Sequence, residues 1–235
     1  MVNTSVQSPS IDRLNRLAGW ILKHWLLMLN VMMGIYVLTP FTAPIFMRLG
    51  WVSQSRAIYM IYSTQCHQLP HRSFFLFGEH LTYSLPEINI ARGSTEFLTL
   101  REFIGNDQMG YKVAWSDRMI SLYTSIWIGS LLYALLRRRT KPMPFLLAAA
   151  LLVPIFIDGG THLIADFQGF GQGFRDTNIW LSALTWNALP STFYAGDGWG
   201  SFNSGMRLVT GLMAGIALAW VILPRIDPLI TNDRR

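Results

Sequence analysis

The run WLLMLNVMMGIYVLTPFTAPIFM, Trp25 to Met47, contains no charged residue. A hydrocarbon core about 30 Å thick takes about 20 apolar residues to cross as helix. This run is therefore long enough to cross a bilayer, and lipid admits only helices or closed barrels. Three further runs follow: Met119–Leu136, Pro142–Ala165, which is interrupted by Asp158, and Leu208–Pro224. Charged residues make up 14% of the chain, against about 25% in an ordinary soluble domain. The expected fold is all-α: a polytopic membrane helix bundle of about four transmembrane helices, forming one integral-membrane domain over residues 1–235. The first run reads as a retained anchor. Its polar leader is long, and Pro44 follows the one small-residue cleavage site, Thr42–Ala43.

Lys and Arg near the ends of spans set orientation. Arg13, Arg16 and Lys23 precede the first run, RRRTK (Arg137–Lys141) links the second to the third, and Arg225, Arg234 and Arg235 follow the fourth. With four spans all three clusters share one side. That predicts a multi-pass protein of the cell membrane with both termini cytoplasmic. The basic residues on the other side are spread over two long segments, which carry little weight in this rule. The net charge of +6 is gathered at span ends rather than in one basic patch with interleaved aromatics, so nucleic acid is not an expected partner. The nine Trp suit the bilayer interface.

The two segments facing outward in this topology are Arg48–Arg118 and Asp166–Arg207. Within them Ala57–His71 and Thr177–Gly196 are apolar enough for re-entrant or interfacial helices packed over the bundle. Were Thr177–Gly196 to span, the last basic cluster would change sides.

Ionisable residues recur at the outward ends of the spans. Asp117 and Arg118 open the second. Asp158, His162 and Asp166 stand at i, i+4 and i+8 of the third and share a helix face. Asn203, Ser204 and Arg207 lead into the fourth. Charges within a span cost a few kcal/mol and need a partner or a wet cavity, and Asp158 is expected to pair with Arg118 or Arg207. Ser121, Ser125 and Gly129, and Gly211, Gly215 and Ala219, form small-residue faces for close helix packing. Pro40, Pro44 and Pro154 are sites where the first and third spans can kink.

The only cysteine, Cys66, stands beside His67, Gln68, His71 and Arg72. One cysteine excludes an intramolecular disulfide framework. Cys66, His67 and His71 are candidate metal ligands, with His80 near, but Pro70 opposes a continuous helix between the histidines. A nucleophilic Cys66 would need His71, His80 or His162 as its base, because His67, its immediate neighbour, points elsewhere. A buried inert thiol is the commoner state of a lone cysteine. Arg72, Arg118 and Arg207 match the geometry of a bound phosphate or carboxylate. There is no Gly-rich phosphate loop, Ser-His-Asp order or paired-cysteine motif, so the sequence names no cofactor.

CHQLPHRSFFLFG (Cys66–Gly78) resembles the signature of domain of unknown function 2085, a family of bacterial and archaeal membrane proteins. That family shows Cys-His-Gln, then Arg-Ser, then Cys-x-Arg-Cys opening a span. An Asp-Gly with a nearby Gln follows, and last an Asn or Ser and an Arg before a Thr-Gly span. Cys66, His67, Gln68, Arg72 and Ser73 match the first elements. SDRM (Ser116–Met119) keeps only the Arg of Cys-x-Arg-Cys, as Arg118. Asp158 and Gly159 match the third element, with His162 near the expected Gln. NSGMRLVTG (Asn203–Gly211) matches the last through Arg207, Thr210 and Gly211. The resemblance runs over most of Ser63–Leu223 and is interrupted by a long insert, Glu79–Lys112. Three cysteines and a histidine could bind metal or cycle redox; a chain with one cysteine has lost or altered any such chemistry.

Two functional readings remain. In the first, the protein is a membrane enzyme or transporter that takes an anionic, lipid-like or small-molecule ligand into an outward-facing polar cavity. Arg72, Arg118, Arg207, Gln68, Asn203 and Ser204 would bind it, and His67, His162 and Asp158 would be the catalytic candidates. In the second, it is a non-catalytic accessory or assembly subunit of a larger membrane complex, docking through aromatic outward segments. Surface exposure of Trp180, Trp186 and Trp199 would favour that reading.

Overall fold

The computed structural model describes residues 9–137 and 139–232. Arg138, Arg234 and Arg235, counted above in the basic clusters, lie outside the described residues. The chain forms the expected membrane helix bundle. Four helices are long and apolar enough to cross a membrane, over Arg13–Arg48, Asp117–Leu136, Phe145–Asp166 and Phe202–Ile230. They belong to α1 (Pro9–Arg48), α5 (Asp117–Leu136), α6 (Phe145–Asp166) and α10 (Phe202–Asn232).

At 1.5 Å per residue, α1 is about 60 Å long, twice the hydrocarbon thickness. Its two halves have different neighbours. The first half packs Trp25, Leu26 and Leu29 with Tyr133 of α5 and Ala219, Trp220 and Leu223 of α10. Trp127 Nε1 donates to the Asn30 carbonyl at 2.9 Å. From Tyr36 onward α1 packs on the first turns of α5 and supports the segment that follows it. The helix runs through Pro40 and Pro44 without a break, and α6 likewise runs through Pro154.

The helix pair α5–α10 is close because small residues meet. A Cβ added to Gly215 would stand 1.9 Å from Ser125 Oγ, and one on Gly129 would stand 2.8 Å from Ala219 Cβ. Such contacts draw helices together where no hydrophobic force acts between them. At the end of the bundle away from Asp117, Asp227 accepts from Tyr133 Oη at 2.9 Å, from Trp25 Nε1 at 3.2 Å and from the Arg137 guanidinium. That ties α1, α5 and α10 together. On α6, Leu146, Val153, Phe156, Ile157 and Ile164 are exposed, as a lipid-facing surface would be.

The chain turns at Gly50 (φ +80°) and folds α2 (Val52–Ser63) back along α1. Ser55 Oγ donates to the Ala43 carbonyl at 2.7 Å, and Tyr62 Oη to the Tyr36 carbonyl at 2.8 Å. Tyr36, Tyr62, Trp115 and Tyr123 form one aromatic cluster there. The helix read over Ala57–His71 ends at Ser63. Gln68 sits at φ +54°, which no α-helix admits, and a single 3-10 turn covers Pro70–Arg72.

The segment Ser73–Ser116, which contains the long insert, also departs from all-helix. Strands β1 (Ser73–Leu76), β2 (Gly105–Asn106) and β3 (Gly110–Ser116) form a small antiparallel sheet in the order β1-β3-β2. Two short helices, α3 (Leu85–Arg92) and α4 (Phe97–Glu102), lie between β1 and β2. Ile88, Leu100, Phe103 and Met109 fill a second core beneath them with Phe75 and Tyr83. Gly110 (φ +72°) is forced by the sheet, since a Cβ there would lie 2.2 Å from the Leu76 carbonyl oxygen.

After α6, three short helices follow: α7 (Phe174–Thr177), α8 (Ile179–Leu184) and α9 (Ser191–Tyr194). Left-handed Asn178, Trp186 and Asn187 break the stretch Thr177–Gly196. Six residues of α8 reach about 9 Å, far short of a span.

Candidate functional site

The sheet and the helix starts bring one polar cluster together. Ser73 of β1 pairs with Ser116 of β3. Arg72, just before β1, and Asp117, just after β3, therefore come to the same end of the bundle. Asp117 opens α5 and accepts from the Arg118 amide at 2.8 Å. α6 presents Asp158, His162 and Asp166 on one face, and the first turns of α10 present Asn203, Ser204 and Arg207. The connections after α6 add Arg175 and Asp197.

Four arginines meet four aspartates here. Arg207 Nε donates to both Asp117 oxygens at 2.8 and 2.9 Å, its Nη1 reaches Asp197 Oδ1, and its Nη2 donates to the Asp197 carbonyl at 2.8 Å. Arg72 grips Asp166 with two bonds of 2.8 and 2.6 Å and donates through Nε to Asp197 Oδ2 at 3.1 Å. Asp158 lies between Arg118 Nη2 at 2.6 Å and Arg175 Nη2 at 2.8 Å. With neutral histidines the charges of these eight residues cancel, which is the condition for holding so many inside a protein.

The expected pairing of Asp158 with Arg118 is what forms, while Arg207 serves Asp117 and Asp197. Gly159 follows Asp158 because a Cβ there would lie 3.3 Å from Arg118 Nη1, so the Asp-Gly pair lets the guanidinium lie against α6. Burial opposes the charged form of Asp197, but Arg72 and Arg207 outweigh it and hold the carboxyl well below its usual range. His71 is pushed the other way: burial, then Arg72, lowers it to about 3. His162 lies inside the cluster, its Nδ1 2.8 Å from the Asp158 carbonyl oxygen and its Nε2 3.3 Å from Arg207 Nη1.

The Cys66 turn closes one side. Cys66 Sγ accepts from the amides of Gln68 and Ser116, both at 3.4 Å, and lies 3.5 Å from Ser116 Oγ. Gln68 Nε2 donates to the carbonyls of Tyr59 and Ala114, both at 2.9 Å. The Gln68 carbonyl accepts from Lys112 Nζ at 2.6 Å. Between this turn and the helix starts is a cavity of about 140 Å³ whose walls include Cys66, His67, Gln68, Arg72, Arg118 and Arg207. A water takes about 30 Å³ of liquid volume, so the space suits a phosphate or carboxylate group and not a whole lipid.

The candidate residues therefore fall into two sets. Gln68 spends its amide on main-chain carbonyls. Asn203 ties the carbonyls of Arg175 and Gly196 at 2.7 and 3.0 Å, and Ser204 donates to Asp117 at 3.3 Å. Arg72 and Arg207 are held by aspartates. Arg118 is bound through one nitrogen only, its Nε is buried with no hydrogen-bond partner, and it faces the cavity together with the exposed His67. The three metal-ligand candidates diverge: Cys66 faces Ser116, His67 packs on Phe97, and His71 packs on Phe170 near Asp197. Among the described residues no three His, Cys, Asp or Glu side chains are grouped to hold a metal ion.

Arg175 and Asp197 escaped the sequence reading. Asp197 carried a signal, since it is the one charged residue between Asp176 and Arg207, and a lone charge in an apolar aromatic stretch needs a partner.

Residues 108–221 match DUF2085, a family described as predicted membrane protein. This is the family to which the spaced motifs point. The DUF2085 match holds Arg118, Asp158, His162, Arg175, Asp197 and Arg207, so it contains three of the four ion-paired arginines and begins after the Cys66–Arg72 turn. The chain is also 26% identical over 211 residues to an uncharacterized protein of Methanocaldococcus jannaschii, a similarity that covers 86% of this chain and 93% of that protein. No solved structure matches the chain.

Proposed function

We propose that this multi-pass membrane protein binds the anionic group of a small or lipid-like ligand at Arg118, in the cavity under the Cys66–Arg72 turn. The observation that carries the reading is the incomplete pairing of Arg118 in a space walled by two further guanidiniums. An entering phosphate or carboxylate would take its spare donors. Arg72 and Arg207 would supply positive field from behind their aspartates. A lipid-like ligand would place only its headgroup here. His67, at the mouth, is the acid–base candidate for turnover. Asp158 would orient Arg118 and Arg175, and His162 would brace the carboxylates. By the distribution of basic residues the cavity opens on the outer side of the cell membrane, with both termini cytoplasmic.

The test is binding of inorganic phosphate, glycerol 3-phosphate and a short-chain phosphatidate to the purified full chain. Arg118→Gln is expected to weaken binding about tenfold or more, as for loss of a charge-assisted bond, with thermal unfolding little changed. Equal binding by wild type and Arg118→Gln rejects the reading.

A second reading, the accessory subunit, has its own observation. Trp180, Trp186 and Trp199 are 48, 90 and 60% exposed. It predicts a partner protein that co-purifies stoichiometrically in mild detergent and is lost in Trp186→Ser. A chain that leaves its native membrane alone contradicts it.

A further inference from the structure

A second cavity lies on the other side of Asp158. A groove of about 710 Å³ runs between α6, α8 and the start of α10, within the range of ligand sites. Its walls include Ile157, Thr161, Ile179, Trp180, Phe202 and Met206, and the single charged group on it is Arg175. Thr161 Oγ1 is satisfied within its own helix by the carbonyls of Ile157 at 2.8 Å and Asp158 at 3.1 Å, so the wall is effectively apolar.

We propose that this groove holds an acyl chain of an anionic bilayer phospholipid, with Arg175 meeting its phosphate. Three observations select that occupant. Ile157 and Thr161 belong to a helix long and apolar enough to span, so the groove opens at membrane depth, where the surrounding solvent is hydrocarbon. It is continuous with the exposed apolar surface of α6 at Val153, Phe156 and Ile157. The third is charge complementarity. Arg175 is 7% exposed, gives Nη2 to Asp158, stacks its guanidinium 5.4 Å from the Phe202 ring centre, and has a buried Nε with no hydrogen-bond partner. A long apolar wall with one spare cationic donor set matches an amphiphile with one anionic end. A docking helix would instead need an extended ridged face. The site does not depend on a ligand at Arg118, because Arg118 and Arg175 bind opposite oxygens of Asp158.

Native mass spectrometry of the full chain, exchanged from detergent into phosphatidylglycerol or phosphatidylcholine, tests the assignment. Wild type is expected to keep one phosphatidylglycerol under activation that strips phosphatidylcholine. Thr161→Trp, which fills the groove and breaks no ion pair, should lower retention about tenfold. Arg175→Gln should still keep a lipid but lose the preference for phosphatidylglycerol. Thr161→Trp should leave inorganic phosphate binding at Arg118 as in wild type, which separates this site from the cavity under the Cys66 turn. Equal retention of both lipids by wild type overturns the assignment. So does undiminished phosphatidylglycerol in Thr161→Trp, or a polypeptide occupying the groove in place of lipid.

Discussion

Arg207→Ala is expected to destabilise the protein by roughly 3–5 kcal/mol, the usual cost of removing one partner from a buried ion pair. Arg207 is 2% exposed and holds two carboxylates from different parts of the chain, Asp117 at the start of α5 and Asp197 before α10. Its loss leaves Asp117 with the Ser204 hydroxyl and the Arg118 amide, and Asp197 with Arg72 as its one remaining arginine beside His71 and His162. Arg207→Lys should recover only part of the loss, because a point ammonium cannot serve Nε, Nη1 and Nη2 directions at once. Arg118→Gln should cost far less, since Asp158 keeps Arg175 and glutamine can still donate. Unfolding in detergent, followed by intrinsic fluorescence, reads all three. If Arg207→Ala falls within about 1 kcal/mol of wild type, the ion-pair lattice does not hold the end of the bundle closed.

What the sequence made legible was whatever depends on local composition or on one helix's periodicity. Apolar runs near 20 residues, the third interrupted by Asp158, mark the four long helices. The four-residue spacing of Ser121, Ser125 and Gly129 against Gly211, Gly215 and Ala219 marks the α5–α10 contact. The spacing of Asp158, His162 and Asp166 puts them on one face before any partner is known. Pairing between distant segments is different, because it depends on where the chain returns. Asp158 had two candidate partners in sequence, and only the approach of α5 and α7 selects Arg118 and Arg175 over Arg207. The sheet was missed because GYKVAWS, the whole of β3, is only seven residues straddling the end of the insert, and its polar and apolar residues do not alternate strictly enough to separate strand from loop. Gln68 looked like a ligand-binding amide. Its left-handed backbone turns that amide onto two main-chain carbonyls, which no spacing rule predicts.

Lys112 gives the second large effect, in the pH dependence of stability. It is fully buried on β3 and donates only to carbonyl oxygens, those of Gln68 at 2.6 Å and Arg101 at 2.8 Å. Burial pushes it from 10.5 down to about 7; Cys66 opposes that shift and Arg101 adds to it. Between pH 7 and 10.5 the unfolded chain therefore carries a proton here that the folded chain has released, and folding grows more favourable as pH rises. Below pH 7 both states hold the proton, and the cost of burying the ammonium is present in full. Lys112→Met abolishes this titration but strands the Gln68 and Arg101 carbonyls, at about 1–3 kcal/mol each. The unfolding free energy of wild type minus that of Lys112→Met should thus grow by roughly 1.4 kcal/mol per pH unit from pH 7 towards 10. Groups remote from Lys112 cancel in that difference. A difference flat between pH 7 and 9 would mean that the amine titrates alike in the folded and unfolded chain, which requires water at Lys112 Nζ. The tie between the Cys66 turn and α4 would then be a hydrated contact, and the wall shared with the Arg118 cavity would be open from behind.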